Sequence, residues 1–187
     1  MSPSIVKCPS WLAERIRESG GSISFHTFMD WVLNDSTYGV YSAGLLKIGK
    51  KGDFCTSPSL GEDFARLLAV QIIDWFSQLK DMEQISGVFS LVEIGPGEGN
   101  LSRDLIRIIK EEAPVLIPKI ELVLVEPNKG MRLRQKELMK AESTIPIRWT
   151  SLEKLIKNPV VGIIIAHEVL DAFPVERLVF RGDKIFR

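Results

Sequence analysis

The residues best placed to do chemistry surround a glycine loop. In Leu91-Val92-Glu93-Ile94-Gly95-Pro96-Gly97-Glu98-Gly99-Asn100-Leu101, three alternating glycines follow an acid. An apolar run precedes the loop and an amphipathic run follows it, so it joins a strand to a helix. Glycine at such a joint lets the backbone turn sharply and approach a ligand with no Cβ in the way. Two phosphate-binding loops do not fit. A GxxxxGK[ST] loop needs glycine at 100 followed by Lys and Ser or Thr, and Asn100-Leu101-Ser102 stand there. A GxGxxG loop needs its third glycine at 100 as well. A second acid, Glu126, ends the next apolar run. There a carboxylate can accept hydrogen bonds from both hydroxyls of a ribose, or it is simply a solvated strand-end acid. The third run ends at Trp149-Thr150-Ser151, where Trp149 could stack on a ring or Ser151 could merely cap a helix. The fourth ends at Ala166-His167-Glu168-Val169-Leu170-Asp171. Glu168 and Asp171 can offer two carboxylates on one turn, suited to gripping a guanidinium or to taking a proton from a nitrogen nucleophile. Otherwise they are cap or turn residues. His167 reads as a base or as a hydrogen-bonded structural residue.

The elements that must position these residues alternate. Val88–Ile94 predicts a strand, Leu101–Glu112 a helix ended by Pro114, Ile120–Val125 a strand, and 129–141 a helix capped by Asn128. Ile145–Trp149 predicts a short strand, Ser151 caps a helix through Ile156, and Val160–Ala166 predicts a fourth strand. The continuous apolar runs 122–125 and 161–165 are the pattern of parallel strands covered on both faces, so the fold class is α/β, with right-handed crossovers. Before Ile85-Ser86-Gly87 the chain reads mostly as helix. Residues 10–19 form one, stopped by Gly20-Gly21. Phe25, Phe28, Met29 and Val32 mark the face of a second. Segments 37–41 and 48–54 read as loop with short extended pieces. Ser59 with Glu62 makes a capping box that opens a helix to about Leu79, with Leu60, Phe64, Leu67, Leu68, Ile72, Trp75 and Leu79 as its apolar face. The expected organisation is an N-terminal helical extension with an active-site loop over 1–86, then a Rossmann-like sheet over 87–187. The last residues, 178–187, read as a strand, a turn and half of another strand.

Composition narrows the classes. Among 187 residues, Lys+Arg and Asp+Glu both number 24, and this balance argues against an electrostatic nucleic-acid binder. Two cysteines with no CxxC spacing read as free thiols in a reducing cytoplasm. Two histidines leave few places for a metal centre, and none is predicted. No apolar stretch is long enough to predict a membrane span, and the N-terminus lacks the pattern of a secretory signal.

Acid-x-Gly-x-Gly-x-Gly at Glu93, Gly95, Gly97 and Gly99 resembles motif I of class I S-adenosylmethionine (SAM) methyltransferases. That resemblance puts Glu93 near the ammonium of the methionyl group, Glu126 on the ribose and the 149–151 loop beside the adenine. Further strings agree with one family: Phe28-Met29, Tyr38-Gly39-Val40-Tyr41, Gly49-x-x-Gly52-Asp53-Phe54-x-Thr56-Ser57-Pro58, and Glu168-Val169-Leu170-Asp171-Ala172-Phe173-Pro174-Val175. Together they resemble the MidA-like methyltransferases, related to the mitochondrial complex I assembly arginine methyltransferase. The resemblance implies SAM as cofactor and a protein substrate methylated on arginine, a subunit of respiratory NADH dehydrogenase. It also implies that Gly52, Asp53, Phe54, Thr56, Ser57 and Pro58 line the site, that Gly95, Gly97 and Gly99 form the cofactor loop, and that Glu168 and Asp171 face the substrate. The family often has Arg where Glu98 stands and Asn where His167 stands. Its members are about twice as long, with further strands in the sheet. A non-catalytic assembly factor and a small-molecule or RNA methyltransferase are the alternative readings. Four strands of a larger sheet would leave the fourth strand's edge open, a liability that an oligomer or partner would cover.

Overall fold

The computed structural model describes residues 7–44, 46, 52–53, 55–81, 87–142 and 144–187. Four parallel strands form its centre: β1 (Phe89–Ile94), β2 (Ile120–Val125), β3 (Ile147–Thr150) and β4 (Gly162–Ile165), in spatial order β3-β2-β1-β4. Around them run α1 (Ser10–Glu18), α2 (Phe25–Asn34), α3 (Ser57–Leu60), α4 (Asp63–Asp81), α5 (Asn100–Glu112), α6 (Lys129–Leu138) and α7 (Leu152–Lys157). An antiparallel hairpin, β5 (Val179–Arg181) and β6 (Lys184–Phe186), ends the chain, as its alternating sequence predicts. Among the described residues no helix is long and apolar enough to cross a membrane.

Side chains alternate across β1, and each set finds its own layer. Phe89 and Leu91 join Leu122 and Leu124 of β2 against Ala65, Ala69, Ile72 and Phe76 of α4 and Leu105 and Ile109 of α5. Val92 points to the opposite face with Val123, Val125 and Leu155. Glu93 shares the α5 side of the sheet with Leu91, which puts a carboxyl group next to the start of that helix. β2 and β3 lie on one side of β1 and β4 on the other. The strand order therefore reverses at β1, and a crevice opens outside the carboxyl ends of the strands at that point. Gly162 makes the β1–β4 contact: a Cβ there would lie 1.9 Å from the Ser90 carbonyl oxygen.

Several local expectations change. Ser59 closes a cap within α3, where its Oγ accepts from Thr56 N at 3.0 Å and donates to Thr56 O at 2.7 Å. Glu62 is not its partner; it pairs with Arg66 at 3.0 Å and with Arg107 of α5. The long helix starts only at Asp63. Its buried stripe is Ala65, Ala69, Ile72 and Phe76, while Leu67 is 77% exposed. Small alanines let α4 approach α5 closely, and a reading that follows only large apolar residues misses that seam. Segment 37–41 forms turns, not extended pieces. β3 begins at Ile147 and β4 spans Gly162–Ile165, both shorter than expected. β4 is also covered on one face only: Ile163 is buried, but Ile164 is 60% exposed, because α7 packs over β1 and β2 and leaves β4 bare.

Candidate cofactor site

A cavity of about 580 Å³ opens at the carboxyl ends of β1, β2 and β4. That lies inside the range of small-molecule sites, roughly 300–1,000 Å³. Its lining comes from three places: Glu93, Gly95, Gly97 and Glu98 of the glycine loop with Glu126 and Asn128; His167, Glu168 and Val169 after β4, next to the loop; and Tyr41, Ser42, Thr56, Pro58 and Ser59 of the N-terminal segment.

The loop conformation is set by its glycines. Gly95, Gly97 and Gly99 have φ of 66°, 55° and 90°, a region that costs most other residues energy. At Gly95 a Cβ would also sit 2.4 Å from the Val169 side chain. Gly99 has a different task from the one expected of it. It lies outside the cavity wall, and a Cβ there would make only ordinary contact with Gln135 Cγ and Met139 Cε, at 3.4 Å, so its φ of 90° is what calls for glycine.

Two acids of the lining are buried, at 4% exposure for Glu93 and 7% for Glu126. Burial pushes the Glu93 carboxyl up to about 7, against the opposing hydrogen bonds of Ser102 on α5, whose hydroxyl bonds it directly. Burial likewise raises Glu126, opposed by hydrogen bonds from Asn128 and Gln135 and by the charges of Arg132 and Arg134. Glu126 Oε1 accepts from Asn128 N at 2.9 Å and Oε2 from Gln135 Nε2 at 3.2 Å. A carboxylate has about four lone-pair sites, so two remain for hydroxyl groups in the cavity. That donor set, the bare loop backbone and the cavity size fit the adenosyl part of SAM. Asn128 also caps α6 through Oδ1 and holds the N-terminal arm by donating Nδ2 to Tyr41 O at 2.9 Å.

The remaining expected residues divide. Trp149 does not line the cavity: its indole N–H donates to Gln135 Oε1 at 2.9 Å and its ring carries the Lys136 ammonium at 5.3 Å, so it faces α6 and is not placed to stack on an adenine. Ser151 lines the cavity but does not cap α7 with its side chain; its hydroxyl bonds Glu153. Thr56 and Pro58 line it, whereas Gly52, Asp53 and Ser57 lie outside its wall; Gly49 and Phe54 fall outside the described residues. His167 lines the cavity with its ring tilted against Phe64 at 5.0 Å. Glu168 lines it in a left-handed conformation at φ 49°, a strained corner for a residue with a side chain. Asp171 lies outside the wall, yet its charge, after burial, helps to raise the Tyr41 hydroxyl. Glu98 stands at the cavity and forms an ion pair with Arg134 at 3.2 Å, so it is more than a surface substitution.

Sequence reasoning missed Gln135, Ser102, Tyr41 and Arg134. Gln135 could have been found. It sits four residues after Met131 and four before Met139, a polar residue on a helix's apolar stripe, and such a residue needs partners.

The family model described as "Putative S-adenosyl-L-methionine-dependent methyltransferase" matches residues 67–187. The chain belongs to this family. Relatives named protein arginine methyltransferase NDUFAF7, mitochondrial, are 31% identical over 184 residues in Homo sapiens and 29% identical over 181 residues in Mus musculus. In each case the match covers 86% of this chain and 40% of the relative. The chain thus spans about 40% of the length of these curated relatives. Two solved structures of COG1565 superfamily proteins from Burkholderia thailandensis share the methyltransferase fold. One, at 24% identity, has a TM-score of 0.68 over 97% of this chain and 46% of its own. The other, bound to S-adenosyl-homocysteine, is 25% identical with a TM-score of 0.65, over 91% of this chain and 45% of its own.

Proposed function

We propose that this chain carries the cofactor wall of a SAM-dependent methyltransferase that modifies arginine in a protein, a subunit of respiratory NADH dehydrogenase. One arrangement carries the reading: two buried acids, a bare glycine loop, His167 and Glu168 all line a single cavity. The name of the curated relatives, protein arginine methyltransferase, supports arginine as the acceptor.

SAM supplies an electrophilic methyl group on a sulfonium. Every other part of the work falls to the protein, and for an in-line displacement that work is mainly positioning. Gly95 and Gly97 would let the methionyl portion lie on backbone, and Glu93, pushed up to about 7 by burial, would supply negative charge in its ionised form. Glu126 accepts from the ribose hydroxyls with its two spare lone pairs. Glu168 accepts from the incoming guanidinium and receives the proton the attacking nitrogen loses. Asp171, one turn on, adds negative field that favours a cationic substrate. A partner or second copy covering β4 belongs to the same proposal, supported by its place at the edge of the described sheet and by the bare face that Ile164 leaves exposed. We assign the chain to a reducing compartment, the cytoplasm, on the strength of free, exposed Cys8 and Cys55.

The test is calorimetric titration with SAM together with mass-spectrometric methylation of candidate subunits. SAM uptake and a mass gain of 14 or 28 Da, roughly one or two methyl groups on arginine, are expected. A subunit bound tightly by a chain that takes up no SAM would replace catalysis with the assembly-factor reading.

A further inference from the structure

Gln135 lies on α6, is fully buried and does not line the cavity. It nevertheless touches three strand ends. Its Nε2 donates to the Gly97 carbonyl oxygen at 2.7 Å and to Glu126 Oε2 at 3.2 Å, and its Oε1 accepts from Trp149 Nε1 at 2.9 Å. Gly97 follows β1, Glu126 follows β2 and Trp149 lies in β3.

The amide can point only one way. An indole N–H is a donor and nothing else, so it demands the amide oxygen. Both Nε2 hydrogens then face acceptors, a carbonyl and a carboxylate. The reverse orientation would set donor against donor at Trp149 and acceptor against acceptor at Gly97 and Glu126. All hydrogen-bonding capacity of the amide N–H groups is used inside a dry core, where an unmade bond is expensive. The Trp149 indole therefore acts as a key that fixes the amide, and the amide fixes the carboxylate.

We propose that Gln135 is a positioning residue for the cofactor: keyed by Trp149, it aims the Glu126 carboxylate at the ribose and ties it to the Gly97 turn. The inference rests on reading the cavity as a SAM site. It follows that the chain's preference for an intact ribose depends on a residue that never touches the ribose. With one Glu126 oxygen held by Gln135 and the other by the Asn128 backbone, the spare lone pairs of both keep a fixed direction. Without Gln135 the carboxylate turns about its own axis and the loop carbonyl is left unpaired.

The experiment compares S-adenosyl-homocysteine with its 2′,3′-dideoxy counterpart by calorimetry on the whole chain, for the wild type and Gln135→Leu. The wild type is expected to favour the intact ribose by about tenfold or more, the worth of one good hydrogen bond to a charged group. Gln135→Leu is expected to lose most of that preference, with the loss falling on the intact ligand. In a Glu126→Gln background the same substitution should then change the preference little, because the two residues act through one contact. Equal weakening of both ligands, or an unchanged preference, overturns the inference and leaves the SAM reading standing. A wild type that binds both ligands equally overturns the inference in the same way. A wild type that binds neither overturns the SAM reading and the inference with it. Should Gln135→Leu fail to fold, Trp149→Phe removes only the key: a partial loss of ribose preference supports the inference, and a wild-type preference overturns it.

Discussion

Glu93 makes the fold less stable at neutral pH than at acid pH, and the size of the effect can be worked out. Its carboxyl belongs near 4.5 in the unfolded chain and near 7 in the folded one, because burial penalises the charge more than Ser102 relieves it. Below pH 4.5 both states hold the proton and there is no penalty. As the pH rises from 4.5 to about 7 the unfolded chain ionises freely while the folded chain resists, so stability falls, and above 7 the loss levels off. At about 1.4 kcal/mol for each pH unit between the two values, the full loss is about 3 kcal/mol. Glu93→Gln keeps the shape and can still bond Ser102, but it cannot ionise. Its stability should therefore exceed that of the wild type by about 3 kcal/mol more at pH 8 than at pH 4.5, or roughly 6–12 °C in Tm for a chain of this size. Urea unfolding of both proteins across that range measures the difference directly. The same substitution should weaken SAM above pH 7, where the wild-type carboxyl is ionised, and change its affinity little near pH 4.5, where both side chains are neutral. A stability difference between the two proteins that does not change with pH would refute the assignment of a buried, neutralised carboxyl to position 93.

Other substitutions probe separate parts of the structure. Gly97→Val should reduce SAM affinity by about a hundredfold, with one side chain filling cofactor space and straining a left-handed turn; unchanged calorimetric affinity would remove the loop from the site. Gly162→Ala should destabilise the sheet by about 3 kcal/mol or prevent folding, because the new methyl would meet the Ser90 carbonyl; a wild-type thermal melt would contradict the β1–β4 register. Glu168→Gly relieves the φ of 49° and removes a carboxylate, so it should raise Tm by roughly 2–4 °C while methylation of a protein acceptor falls by about a hundredfold. A variant that loses neither stability strain nor activity would return Glu168 to the role of a plain turn residue.

The sequence made some of this architecture readable and left other parts hidden, for physical reasons. The cofactor loop was legible because its information is local: glycine types at 95 and 97 dictate a backbone path whatever surrounds them. The parallel strands of an α/β sheet were legible because unbroken apolar runs such as 122–125 have few other uses. Trp149 was misjudged for the opposite reason. Its position at the end of a strand suggested stacking, but its direction depends on Gln135, fourteen residues earlier and in another element. The α4 face was misjudged because Ala65 and Ala69 carry burial with almost no hydropathy of their own. Ser102 gave no sequence signal, being a hydroxyl on an amphipathic helix, and Tyr41, though part of a family string, gains its place at the cavity only through folding.

Two parts of the cavity lining differ in what a substitution costs. Glu93, Glu126 and Gln135 are embedded in the packed side of the sheet, and each hydrogen bond they make is shared with a backbone atom or a neighbouring side chain of the wall. A change there reaches the core, so the cofactor wall tolerates little. The 167–169 side follows β4, the strand with one bare face, and both Glu168 and, just beyond the lining, Asp171 are exposed. Substitution there disturbs few packed neighbours. His167 sits on that side. A scaffold built this way can hold one cofactor firmly while its acceptor side changes at small cost in stability, and differences between members in what they methylate should therefore concentrate at 167–173 rather than at 93–102.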